Sequence, residues 1–165
     1  MLITIFMVSM SANAQKNTKA IGVNLNYGSE ISNMGIGAKF QYGITNAIRI
    51  KPAFNYYFKK DGAGLWDVNA NVHYLFNVAD KINVYPLVGI GYAHSKVEFS
   101  SDEFEGFSDY GVDDVSASEG NFCANFGTGI EYNISDKLAI GAELKYQLIS
   151  NFNQFVIGIG ATYKF

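Results

Sequence analysis

The sequence predicts an all-β fold: a closed, eight-stranded, antiparallel, up-and-down transmembrane β-barrel. Three observations predict it. Apolar and polar residues alternate with a period of two over eight successive runs. Each run is about ten residues or slightly longer, close to the roughly 9–11 a tilted strand needs to cross hydrocarbon and longer than the roughly 5–6 common in soluble strands. The connections alternate between short, mutually similar turns and more variable links, as in barrels with tight turns on one side of a membrane.

Composition agrees with this reading. The 165 residues suggest one domain. Apolar residues make up 48% and aromatics 15%, but charged residues only 16%, against roughly a quarter in soluble domains. The basic residues are scattered, which argues against a nucleic-acid footprint. Acidic residues concentrate at Glu98, Asp102, Glu103, Glu105, Asp109, Asp113, Asp114 and Glu119, a segment without Lys or Arg that holds more than half of the chain's 15 acids. Cys123 is the single cysteine, so no internal disulfide can form, and it reads as a small packing residue.

The first segment reads as an address. Met1 to Met10 is apolar, and Ala12-Asn13-Ala14 has the A-x-A form of a signal-peptidase site, so residues 1–14 are expected to be a cleaved signal peptide. No Lys or Arg precedes the apolar stretch, which departs from the usual pattern. Residues 15–19 are expected to form a short periplasmic tail and residues 20–165 the barrel.

The strands follow in order. The first, 20–29, sets Ile21, Val23, Leu25 and Tyr27 against Gly22, Asn24, Asn26 and Gly28. The second, 34–43, sets Met34, Ile36, Ala38 and Phe40 against Gly35, Gly37, Lys39 and Gln41. The third, 48–58, alternates Ile48, Ile50 and Phe54 with Arg49, Lys51 and Asn55; the fourth, 66–76, alternates Trp66, Val68 and Val72 with Asp67, Asn69, Asn71 and His73. The fifth, 82 to about 97, carries Val84, Val88 and Ile90 on one face. The sixth, 121–132, sets Phe122, Phe126 and Ile130 against Cys123, Asn125, Gly127 and Glu131. The seventh, 138–149, sets Ile140, Leu144 and Leu148 against Gly141, Glu143, Lys145 and Gln147. The eighth, 155–165, sets Phe155, Ile157 and Ile159 against Gly158, Gly160 and Thr162.

Three links repeat one pattern: Tyr42 to Ile48, Phe76 to Ile82 and Tyr132 to Leu138. Each runs aromatic, polar or Gly, apolar, small, Asn or Asp, Ala or Lys, apolar, and the Asn or Asp is suited to the turn because it can bond nearby backbone. The other links include the long acidic segment from Glu98 to Gly120, which either forms an outer loop or adds a hairpin to the wall.

The polar face decides which way the apolar face points. It is rich in Gly and amides and poor in Lys and Glu, which suits the crowded interior of an eight-stranded barrel better than a solvent face. The apolar face is then turned to lipid. Lys39, Arg49, Lys51, Glu131, Glu143 and Lys145 are expected inside as a charge network, with Arg49 and Glu131 sharing a layer, because a buried charge needs a partner. Tyr27, Tyr42, Phe58, Trp66, Phe76, Phe122, Tyr132 and Phe155 lie near the ends of the apolar runs, where interfacial aromatics are favoured.

The chain resembles the small outer-membrane β-barrels of the OmpA/OmpX type over Ala20 to Phe165. The most specific match is the ending Gly160-Ala161-Thr162-Tyr163-Lys164-Phe165, similar to the family's C-terminal signal, although Gly158 stands where a polar residue is usual. The resemblance implies that Gly160, Tyr163 and Phe165 are read by the barrel-assembly machinery. It also implies periplasmic chaperones during biogenesis, outer-membrane lipid as the surroundings, both termini in the periplasm and a monomeric barrel. No cofactor, metal or nucleic acid is expected, and the surface partner is unknown. The expected role is structural or cell-surface interaction without catalysis. Three alternatives stay open: a narrow ion or solute channel; a lipid-modifying enzyme using His73 or His94, although adjacent His94 and Ser95 point to opposite faces; and a soluble lipocalin-like binder. Asp109, Asp113 and Asp114 form the best local group for Ca²⁺, without EF-hand spacing.

Overall fold

The computed structural model describes residues 16–30, 32–60, 62–98, 116–150 and 152–165. The expected signal peptide and the Asp109, Asp113 and Asp114 group lie outside these residues. Nine strands are present: β1 (Lys19–Gly28), β2 (Asn33–Gly43), β3 (Ile48–Lys60), β4 (Ala63–Tyr74), β5 (Phe76–Ala79), β6 (Ile82–Glu98), β7 (Ser116–Asn133), β8 (Leu138–Ile149) and β9 (Asn153–Lys164). All pair antiparallel with their neighbours. β1 pairs with β9, and β4 pairs with β6, so the sheet closes on itself. β5 continues β4 past a break at Leu75 and also pairs with β6. The wall therefore has eight staves, the expected closed up-and-down barrel.

The break at Leu75 has a simple origin. Tyr74 is the last residue of β4 opposite β3, where it faces Ile48. The Leu75 amide then donates to Ala47 in the turn before β3, at 2.7 Å. Beyond that point no neighbour remains on the β3 side, so β5 runs on against β6 alone. The second of the three similar links is thus partly strand, with its turn reduced to residues 80 and 81.

The other two links make equivalent turns through a residue that sequence reasoning passed over. Thr45 Oγ1 accepts from the Ala47 and Ile48 amides at 3.2 and 2.9 Å. Ser135 Oγ accepts from Lys137 and Leu138 at 3.3 and 3.1 Å. The hydroxyl before the Asn or Asp makes these bonds, closing an ST-type turn. These turns and both strand termini share one rim, where the Phe165 amide donates to Lys19 O at 2.9 Å. Toward the opposite rim β6 and β7 run on to Glu98↔Ser116, so Glu98 and 116–120 belong to a prolonged hairpin; among the described residues they add no further wall strand.

Sidedness is settled by exposure. Ile90 is 73% exposed, Val23 65% and Ile140 47%, whereas Asn71 is 1% exposed and His73 and Gln147 are fully buried. The apolar half of each stave faces outward and the polar half is packed within, the reverse of a soluble barrel. This rules out a lipocalin-like interior. Among the described residues the interior contains two small apolar clusters, Leu75 with Tyr85 and Leu87, and Ala93 with Cys123 and Ile149.

An outward Ile90, opposite Ala70 and Ala124 near the middle of its strands, should not tolerate charge. Ile90→Arg is expected to cost about 2–4 kcal/mol in reversible unfolding from lipid vesicles. An unchanged denaturation midpoint would contradict lipid contact there.

Candidate functional site

The interior side chains come from alternate positions of every stave, so the candidate site is the lumen itself. Nearest the turn rim, Arg49 of β3 reaches Glu131 of β7. Its Nη1 donates to Oε2 at 3.0 Å and to Oε1 at 3.2 Å. Its Nη2 lies 3.1 Å from His73 Nδ1. Arginine can only donate, so Nδ1 is the acceptor and the neutral ring carries its proton on Nε2. That nitrogen is 3.9 Å from Glu143 Oε2, outside hydrogen-bond reach. The Tyr85 ring stacks on His73 with centroids 4.4 Å apart and planes 9° from parallel, and the Arg49 guanidinium carbon sits 5.2 Å from the Tyr85 centroid. Gly129 makes this stack possible, because a Cβ there would overlap the Tyr85 ring.

A second pair lies beside the first. Lys51 Nζ donates to both oxygens of Glu143 at 2.7 and 2.5 Å, and Tyr85 OH donates to Glu143 Oε2 at 3.2 Å. Glu143 and Lys145 are two positions apart on β8, but they are not partners: Lys51 comes to Glu143 from the far wall. At the mouth Lys164 Nζ bonds the Asn133 side chain.

Beyond the charges lies an amide belt. Asn125 donates to Asn71 at 3.0 Å, Asn71 to Asn69 at 3.0 Å, and Asn69 to Asp67 at 2.5 Å. From the other side Asn55 donates to Asp67 at 2.7 Å, while Asn24 and Asn26 donate to Asn55 at 3.0 and 2.8 Å. Asp67, fully buried, is thus held by amides and, among the described residues, by no cation. Sequence reasoning placed these residues inside but did not join them; alternate Asp67, Asn69 and Asn71, and alternate Asn24 and Asn26, were the available signal. Near the loop rim Gln154 donates to Gln147 at 2.8 Å, and Gln147 to Cys123 Sγ at 3.4 Å. Among the described residues a cavity of about 30 Å³ lies between the charged layer and the amide belt.

Among the described residues neither histidine is hydrogen-bonded to a Ser, Thr or Cys side chain. His73 is engaged by Arg49 and Tyr85, and half-buried His94 stacks on Trp66 with centroids 5.3 Å apart. Of the aromatics at the strand ends, Tyr27, Phe58, Phe76, Phe122, Tyr132 and Phe155 are exposed on the outer face, while Tyr42 and Trp66 are half-buried. Tyr92 links Trp66 to Phe122, and Tyr42 OH meets Asn17 at 3.2 Å. In β9, Gly160 lies opposite Asn24 and Gly141 under the lumen, and Tyr163 and Phe165 face outward. Among the described residues no group of His, Cys, Asp or Glu is arranged to hold a metal ion.

Solved structures share this architecture. The N-terminal β-barrel domain of Pseudomonas aeruginosa OprF is 18% identical with a TM-score of 0.64, covering 91% of this chain and 98% of that one. Neisserial surface protein A is 15% identical with a TM-score of 0.66, covering 90% and 96%. Ail, the attachment invasion locus protein of Yersinia pestis, is 19% identical with a TM-score of 0.61, covering 90% and 97%. At such identities the likeness establishes the fold. No curated protein sequence matches the chain. The family described as "Outer membrane protein beta-barrel domain" matches residues 2–165, and with its lipid-facing wall and packed polar lumen the chain belongs to that family of outer-membrane barrels.

Proposed function

We propose that this barrel serves as a structural, surface-presenting protein of the outer membrane and carries out no catalytic step. The observation that carries this reading is the lumen: Arg49 is paired with Glu131 and Lys51 with Glu143 across the barrel, and an amide belt converges on Asp67. An interior engaged in this way supports a scaffold more than a conduit. Presentation is supported by the long hairpin. β6 and β7 have 17 and 18 residues and pair with each other out to Glu98↔Ser116, so this hairpin runs past the point where β7 begins to pair with β8 at Cys123.

Biogenesis follows the same reading. Residues 1–14 direct export and are removed after Ala14, chaperones carry the chain through the periplasm, and Gly160, Tyr163 and Phe165 present it to the assembly machinery. Tyr163 and Phe165 are exposed on the outer face at the strand that closes the wall. The closed wall leaves no long edge for association within the membrane, which favours a monomer.

Purified protein in planar bilayers is expected to give no steady conductance; regular ohmic steps would favour the channel reading. Glu131→Leu, which strands Arg49, is expected to lower unfolding stability by about 3–5 kcal/mol, and Arg49→Met with Glu131→Leu to recover much of that loss. If the pair were dispensable, the single variant would unfold like the wild type. Phe165→Ala is expected to reduce the heat-modifiable, folded band from outer-membrane fractions, while protein refolded in detergent keeps it. Equal loss in both settings would assign Phe165 to stability instead.

A further inference from the structure

The lumen contains two cations that its pairing scheme does not use. Arg49 is taken by Glu131, Lys51 by Glu143, and Asp67 is held by Asn55 and Asn69. Lys39 and Lys145 make no hydrogen bond or ion pair with any described residue. Lys145 is only 6% exposed, and both lysines line the cavity of about 30 Å³ together with Lys51, Glu143, Asn24 and Thr162. An ammonium held away from water favours an anion in direct contact with it. Glu131 and Glu143 also line this cavity, but each is bonded to a closer cation, Arg49 and Lys51, so Lys39 and Lys145 share their field without an ion pair of their own.

We propose that this cavity binds a small monovalent inorganic anion of halide size, held between Lys145 and Lys39 with Lys51 at its edge. Size and charge together set the class of ligand. The cavity has room for a water-sized occupant, which admits chloride or bromide, whereas a divalent sulfate would set its second charge against Glu131 and Glu143 in the same wall. The wall is shaped to match. Gly160 passes close under Lys39, where a Cβ would come 2.9 Å from Nζ, and a Cβ on Gly22 would come 2.8 Å from Lys39 Cε. Glycine at both positions lets the Lys39 side chain lie flat against the wall with its ammonium over the cavity. The anion completes the electrostatics of the lumen and adds no gate or path.

The test uses the full barrel refolded in a zwitterionic detergent, with the linewidth of free chloride read by NMR. Excess broadening is expected in proportion to protein, relieved by bromide and not by sulfate at equal ionic strength. Lys145→Met and Lys39→Met are each expected to remove most of it. If either variant does not fold, bromide competition on the wild type and a bromide anomalous peak between the two lysines in a crystal give the same answer. Broadening relieved equally by sulfate, or retained in both variants, would place the anions on the outer surface and overturn the proposal. So would the absence of excess broadening.

Discussion

A backbone amide placed in hydrocarbon has no water to bond, so each must find a partner inside the protein. For strands this demand is met only when the first and last pair and the edges disappear. Here β1 and β9 meet from Ala20↔Lys164 to Gly28↔Val156, and β4 meets β6 from Ala63↔Val97 to His73↔Leu87. Most other features follow from that closure. It fixes an interior only wide enough for side chains, turns half of every strand outward, and forces any polar group on the other half to find its partner among its neighbours.

The interior meets that demand in two ways, at two heights. Toward the turn rim it uses ions: Arg49 with Glu131 and Lys51 with Glu143, braced by His73 and Tyr85. Toward the middle it uses amides converging on Asp67. The two are not equivalent. An amide chain adapts, since each Asn offers both donor and acceptor. An ion pair tolerates no missing partner. Tyr85 joins the halves of the charged layer because one ring stacks on His73, lies under Arg49 and gives its hydroxyl to Glu143.

The wall was legible because period two survives any error in register: Ile36, Val68, Ile90 and Ile140 fall on the lipid side whichever residue each one faces. Identities across the lumen are different in kind. Glu143 and Lys145 look like partners in sequence, yet residues two apart in a strand stand about 7 Å apart with parallel side chains. The partner of Glu143, Lys51, is set by the stagger of the closed wall, which no single strand contains. The same applies to Asn125 meeting Asn71. The turns were half legible: the repeated pattern located them, but it drew attention to Asn46 and Asp136 when Thr45 and Ser135 make the bonds. The break at Leu75 depends on where β3 ends and so was invisible from within its own run.

Both lumen ion pairs start on β3 and end on distant staves, β7 and β8, with sequence separations of 82 and 92. A hairpin of β3 with β4 can place Arg49 against His73, but a hairpin with β2 or β4 brings Arg49 and Lys51 neither of their carboxylate partners and carries their charges without a counter-charge. Those charges find partners only when the second half of the chain curls back and β9 joins β1. Contacts of such long range reward closure and not the local steps before it. The pairing energy therefore acts on the final event, separating the closed barrel from the open sheets that precede it, and the chain keeps ionic groups inside a membrane protein where neutral amides alone would have satisfied the lumen.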